Sequence, residues 1–236
     1  VSCLIVIPAR MGSERFYGKP LYNFLGKPMI QLVWEKAAQL EDTDVIVATD
    51  SIEIKERTES FGGKAILTSK DCKSGTDRVA EVARECFADY YINLQGDEPL
   101  IKIETLKKFK DSLLKGYEMA TMDFPLDPSL AEDPNIVKVV KDKNNFAIYF
   151  SRSPIPYPRN IKFFRKHIGI YGYKRDTLLK FVSLPPSPLE EAEGLEQLRA
   201  LYYGIKIYVE EAPFDSISVD TEEDAKKVEE ILKEER

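Results

Sequence analysis

Residues 3–7 constrain the fold more than any other stretch: an uncharged run, β-branched at Ile5, Val6 and Ile7, reads as a strand buried on both faces. Such a strand needs packed layers above and below it, and the next hundred residues supply them at regular intervals. Residues 27–40 place Met29, Ile30, Val33, Ala37 and Leu40 at helical spacing, with Trp34 beside them as a further core residue. Residues 44–49 read as a strand, Ser51 as the cap of a polar helix ending at Gly62-Gly63, and residues 64–68 as a short strand. An amphipathic helix then runs through Val79, Val82, Ala83 and Cys86, followed by a strand at 90–94 and a helix at 103–114. This alternation predicts an α/β fold, a mainly parallel central sheet with helices on both faces. Ligands of such sheets bind beyond the carboxyl ends of the strands, so the loops that leave strands are the places to search.

After Glu118 the pattern changes. Strands at 119–124, 136–141 and 146–150, the last two joined by an Asn-containing turn at 142–145, predict a smaller antiparallel lobe. Residues 151–159 are too proline-rich for helix or central strand and form a loop carrying Arg152 and Arg159. Residues 167–173 alternate as a strand, with His167, Gly169, Tyr171 and Tyr173 on one face. One helix follows Pro185 and runs through Leu189, Leu195, Leu198 and Leu201, bearing Glu196 and Gln197; a strand occupies 205–209. Thr221 and Asp224 have capping-box spacing for a last helix.

Three strand-exit loops carry chemistry. In residues 7–21, Arg10, Arg15 and Lys19 stand among Gly12, Ser13 and Gly18 directly after the first strand. Glycines let backbone N–H groups approach an anion and the cations neutralise it, so this loop is a phosphate holder, the alternative being a solvated basic loop. It is neither a P-loop, since Pro20 stands where Ser or Thr would be needed, nor a dinucleotide fingerprint. Ser74 to Arg78 opens a helix and either meets a ligand or is simply capped by Ser74. Gln95-Gly96-Asp97-Glu98 leaves a strand with two carboxylates, either holding Mg2+ against a phosphate or forming an acidic turn before a helix. His167, the single histidine, is either a hydrogen-bonded structural residue or a functional one, and Asp220 either a cap or a ligand.

The formal charge of −6 argues against general nucleic-acid binding, so the positive charge of the first loop serves a local ligand. Cys3, Cys72 and Cys86 have neither disulfide-framework nor zinc spacing, no apolar run approaches the ~18 residues of a membrane span, and the chain enters a strand without a leader. A cytoplasmic protein of one domain, 1–236, is expected.

Taken in order, PARMGSERFYGKPL, SGTDR, NLQGDEP, NIVKVV, YFSR, HIGIYGY, PSPLEEAEGLEQLR and SVDTEED resemble the 3-deoxy-manno-octulosonate (Kdo) cytidylyltransferases over nearly the whole chain. The family makes CMP-Kdo and pyrophosphate from CTP and Kdo for the Gram-negative lipopolysaccharide, on a Rossmann-like nucleotidyltransferase fold. The resemblance implies that Pro8, Arg10, Ser13, Arg15, Lys19, Ser74, Arg78, Gln95 and Asp97 hold the nucleotide. By the same resemblance Lys19, Arg15, Asp97 and Asp220 are catalytic, the two aspartates holding Mg2+. Gln95, Arg152, Arg159, His167, Tyr171, Glu196 and Gln197 line the sugar pocket. It further implies a homodimer, with residues 1–120 and 205–236 forming the nucleotide lobe and 121–204 the sugar-binding and dimerisation lobe. The chain departs from the family at Tyr17, where Pro is common, and in a short segment between Arg159 and His167. An enzyme for another acidic sugar, a sialic acid or 8-amino Kdo, is the nearest alternative, and a nucleotide-binding module without turnover a more distant one.

Overall fold

The computed structural model describes residues 1–12 and 16–234. In chain order the elements are β1 (Cys3–Ala9), β2 (Asn23–Phe24), β3 (Lys27–Pro28), α1 (Met29–Ala37), β4 (Asp44–Thr49), α2 (Ile52–Ser60), β5 (Lys64–Leu67), α3 (Gly75–Glu85), β6 (Tyr90–Asn93) and α4 (Ile103–Leu113). There follow β7 (Met119–Leu126), β8 (Lys138–Lys141), β9 (Ala147–Ser151), β10 (Phe164–Lys174), α5 (Arg175–Ser183), α6 (Pro188–Glu193), α7 (Gln197–Tyr202), β11 (Ile207–Glu211) and α8 (Glu222–Glu234). The fold is α/β, a mostly parallel sheet flanked by helices with an antiparallel portion, in keeping with the alternation of the sequence. Two compact units are distinguished, Val1–Lys107 with Ser216–Arg236, and Lys108–Asp215. This division differs from the one drawn at 120/121 and 204/205, because β11 pairs along β7 and is counted with the second unit.

In the first unit the strands lie in the order β6-β1-β4-β5, all parallel, with Val6 opposite both Ile46 and Asn93. Ile5, Val6 and Ile7 are completely buried, as a strand covered on both faces requires. Each such side chain contributes roughly 1.5–3 kcal/mol relative to an exposed one. The chain runs from β1 outward through β4 and β5, then returns by α3 to place β6 on the other side of β1. That reversal is a topological switch point, and it opens a crevice where β1 and β6 end. Ser51 and Ser74 cap α2 and α3 as expected, and Ser74 forms a full capping box with Asp77. The C-terminal segment returns to this unit: Val219, Ala225 and Val228 pack with Phe16, Phe24 and Met29 in one apolar cluster.

In the second unit β11 runs parallel to β7, β10 antiparallel to β7, and the expected hairpin is the antiparallel pair β8–β9. Residues 185–201 are not one helix. Gly194, at φ 62, ends α6 in the left-handed region that glycine adopts without penalty, and α7 starts three residues later. The leucine spacing continues across the break, which is why it reads as one helix. α5, which buries Leu178 and Phe181, has no counterpart among the elements read from the sequence.

Candidate active site

The loop after β1 is closed on itself before it reaches any ligand. Gly18 N–H donates to Met11 O at 3.0 Å, and a short 3-10 turn, Lys19–Leu21, follows. Tyr22 meets Phe16 and Phe24 edge-on, with ring centroids 5.2 and 4.9 Å away, anchoring the turn to the apolar cluster. Lys19 is thereby aimed inward, and its side chain is only 14% exposed. Its Nζ donates to Asp97 Oδ2 at 2.8 Å and to Asp220 Oδ1 at 3.5 Å. Residues far apart in the chain, one from each of three loops, therefore share one ion-pair cluster.

Two backbone features set the aspartates. Val219 N–H donates to Asp97 O at 2.8 Å, so the segment before α8 is tied to the loop after β6. Asp224 then accepts from the N–H groups of Asp220 and Thr221 at 3.2 and 3.0 Å, completing the cap expected at Thr221 and fixing Asp220 at the helix entrance. At Gly96 a Cβ would stand 3.0 Å from Pro8 O, so a residue without a side chain is what lets the β6 loop lie against the end of β1.

Around this cluster is a cavity of about 280 Å³ lined by, among others, Pro8, Arg10, Lys19, Ser74, Arg78, Gln95, Asp97 and Asp220. Every described residue read from the sequence as nucleotide-binding, catalytic or metal-binding is thus at one place. Ser13 and Arg15 lie outside the described residues. Gln95 Nε2 donates to the buried Asn93 Oδ1 at 3.1 Å. Arg78 lines the cavity but spends its guanidinium on protein, donating to Thr68 Oγ1 at 2.7 Å, Ser69 O at 3.2 Å and Asp50 Oδ2 at 2.5 Å. It ties the exits of β4 and β5 to α3. Asp50 was not singled out in the sequence, although its place at the carboxyl end of β4 was the available signal. Cys72 also lines the cavity; burial and a hydrogen bond to Glu81 push its thiol up to about 12, so it stays protonated.

The residues read as sugar-binding, apart from Gln95, fall in the second unit. His167 and Tyr171 are adjacent, ring centroids 5.4 Å apart. Burial pushes His167 down to about 3, and pushes Tyr171 well above the usual phenol range. Gln197 is buried at the start of α7, and its Nε2 has no protein partner among the described residues, a donor left for something else to meet. Glu196 precedes it. Arg152 donates from Nε to Glu193 O at 2.8 Å and from Nη1 to Pro134 O at 2.9 Å. Lys138, completely buried, donates to Ile136 O, Asp133 O and Arg152 O, and so holds the same loop from beneath. Arg159 is exposed.

An inward lysine and two carboxylates line one cavity at the switch point of a parallel sheet, the place where the ligands of such sheets bind. Residues 4–207 match the family model of the cytidylyltransferases, and the chain belongs to that family. It is 46% identical to the 3-deoxy-manno-octulosonate cytidylyltransferase of Escherichia coli, covering 98% of this chain and 96% of the relative. It is equally 46% identical to the 8-amino-3,8-dideoxy-manno-octulosonate cytidylyltransferase of Shewanella baltica (strain OS195), over 97% of both. Among solved structures, a CMP:2-keto-3-deoxy-manno-octonic acid synthetase complexed with CTP superposes with a TM-score of 0.97 at 44% identity, covering all of both chains.

Proposed function

We propose that the chain transfers the cytidylyl group of CTP to the anomeric hydroxyl of Kdo, releasing pyrophosphate and supplying CMP-Kdo for lipopolysaccharide. The observation that carries this reading is the convergence of Lys19, Asp97 and Asp220 in one cavity at the switch point. Lys19 neutralises charge that develops on the departing pyrophosphate, with Arg10 and the backbone of the first loop receiving the remaining phosphate oxygens. The work of the protein is to hold the α-phosphorus in line with the attacking oxygen.

The donor set fits a magnesium ion. Asp97 and Asp220 are hard oxygen donors that already converge on one cation, and the described residues contain no cluster of three or more candidate ligands that would build an all-protein cage. Two carboxylates plus substrate phosphates are what magnesium accepts. When bound, it would supply Lewis acidity at the α-phosphate and lower the pKa of an attacking hydroxyl.

His167, Tyr171, Gln197, Glu196, Arg152 and Arg159 are assigned to the sugar. The buried, unmet amide of Gln197 supports this, because such a donor is costly unless a ligand completes it. A homodimer is supported by the exposed apolar side chains Tyr157, Ile161 and Phe163 on the second unit. A cytoplasmic setting accords with Cys3, Cys72 and Cys86 standing outside any disulfide, and no helix among the described residues is long and apolar enough to cross a membrane.

Relatives named for the 8-amino analogue match this chain at 46%, close to the 46–49% of those named for Kdo, which makes the second sugar the competing reading. Pyrophosphate release is measured with CTP and Mg2+ against Kdo, 8-amino Kdo and N-acetylneuraminate, with UTP as the nucleotide control. Release with CTP and Kdo, at higher kcat/KM than with either other sugar, is expected. Preference for the 8-amino sugar reassigns the substrate, and release with none refutes the enzyme reading.

A further inference from the structure

The one histidine of the chain sits beside an irregularity in the sheet of the second unit. β10 pairs with β7 in register from Phe164 to Ile168 and again from Tyr171, so Gly169 and Ile170 have no residue opposite them. The slip turns two carbonyls onto one hydroxyl. Thr121 of β7, completely buried, has its Oγ1 3.2 Å from Ile168 O, 2.7 Å from Ile170 O and 2.9 Å from His167 Nε2.

A hydroxyl carries one proton and two acceptor positions. Two oxygens 2.7 Å apart need a proton between them, and the carbonyl has none, so the Thr121 proton is committed to the main chain of the bulge. The remaining contact is satisfied only if His167 Nε2 is the donor. With the opposite tautomer, Thr121 would point its proton at His167 and face both carbonyls with lone pairs, at a buried position where unmade hydrogen bonds are most costly. A charged ring is disfavoured by the surroundings. Phe150 and Tyr171 flank it at 5.0 and 5.4 Å, and the nearby carboxylate of Asp123 is taken by Arg165 and Lys141.

We propose that Thr121 is a positioning residue that locks His167 as the Nε2–H tautomer, leaving Nδ1 as an unprotonated acceptor for a hydroxyl of the sugar. The inference rests on the assignment of His167 to the sugar made above. It also fixes what His167 does not do: a lone pair repels a carboxylate, so the acid group of the sugar is met by a cation and His167 reads a hydroxyl.

Because there is one histidine, ¹⁵N-histidine labelling gives a single pair of ring nitrogens whose shifts report the tautomer directly. The ligand-free protein should show a protonated Nε2 and a bare Nδ1, unchanged between about pH 6 and 8, the range in which an ordinary histidine would titrate. Thr121→Val keeps the volume and removes the hydroxyl. It should release the tautomer and raise KM for Kdo about five- to tenfold, the loss of one hydrogen bond, with KM for CTP unchanged. Thr121→Ser should restore both tautomer and KM, which a purely structural role of the methyl group would not. A proton on Nδ1, an imidazolium, or a Thr121→Val protein with unaltered tautomer or unaltered KM for Kdo would overturn the proposal. The spectrum needs no substrate, so a locked Nε2–H ring in a protein that turns over no sugar would sink the activity reading and leave the tautomer standing.

Discussion

Asp97→Asn separates a functional carboxylate from a structural one. Asp97 lies 2.8 Å from the Lys19 ammonium, and at an effective dielectric constant of ~20 the gross attraction at that distance is about 6 kcal/mol. Both side chains are partly exposed, at 14% and 25%, so desolvation and water cancel most of it, and a pair of this kind nets about 1 kcal/mol. Lys19 also keeps Asp220 at 3.5 Å. The substitution should therefore lower Tm by only about 2–4 °C, the shift that ~1 kcal/mol produces in a chain of this size. Turnover should behave differently. A carboxylate that supports charge in the transition state is worth at least ~100-fold in kcat, about 2.7 kcal/mol. The assay is pyrophosphate release at saturating CTP, Kdo and Mg2+, run beside thermal unfolding. Near-normal turnover would remove Asp97 from the site, and a loss of activity accompanied by a fall in Tm of more than ~10 °C would make it a structural support instead.

Three further outcomes are expected. Gly96→Ala puts a methyl 3.0 Å from Pro8 O, forcing the β6 loop away from the end of β1; a cost of about 1–3 kcal/mol and a raised KM for CTP should follow, and a variant of full stability and normal KM would discount the close approach. Arg152→Lys loses the fork that spans Glu193 O and Pro134 O, so KM for Kdo should rise about tenfold while KM for CTP holds; equal loss for both ligands would place Arg152 elsewhere. His167 is depressed to about 3 from an ordinary 6.5, so the unfolded chain takes up the proton first: stability is complete above the unfolded value and falls as the pH drops from 6.5 toward 3, by at most ~5 kcal/mol. His167→Gln should shrink that loss in acid-unfolding curves, and identical curves would show that the imidazole does not contribute.

What was legible in the sequence was local. Ser51, Ser74 with Asp77, and Thr221 with Asp224 lie three residues from the groups they bond, so the helix starts could be read directly. The buried run of β1 and the alternation after it carried the fold class for the same reason. Distance in the chain set the limit. Lys19, Asp97 and Asp220 meet across separations of 78 and 201 residues, which no spacing rule encodes, and only the resemblance joined them. Arg78 and Asp50 pair across 28 residues, so the bracing of the loops by the Arg78 guanidinium had no local signature. Lys138 reads as an ordinary strand lysine, since three carbonyls supplied by loops are visible only once the chain has folded. The bulge of β10 left one trace, Gly169 inside a strand, yet the hydroxyl it serves lies on another strand altogether.

The central claim is that the sugar's own oxygen attacks the α-phosphorus of CTP. It is tested most directly by supplying Kdo labelled with ¹⁸O at the anomeric hydroxyl and following the product by ³¹P NMR and mass spectrometry. Direct attack keeps the label in the bond between sugar and phosphorus, giving an isotope-shifted phosphodiester one label heavier, with unlabelled pyrophosphate. Unlabelled CMP or an unlabelled phosphodiester would show that another oxygen reached phosphorus, and would contradict the account.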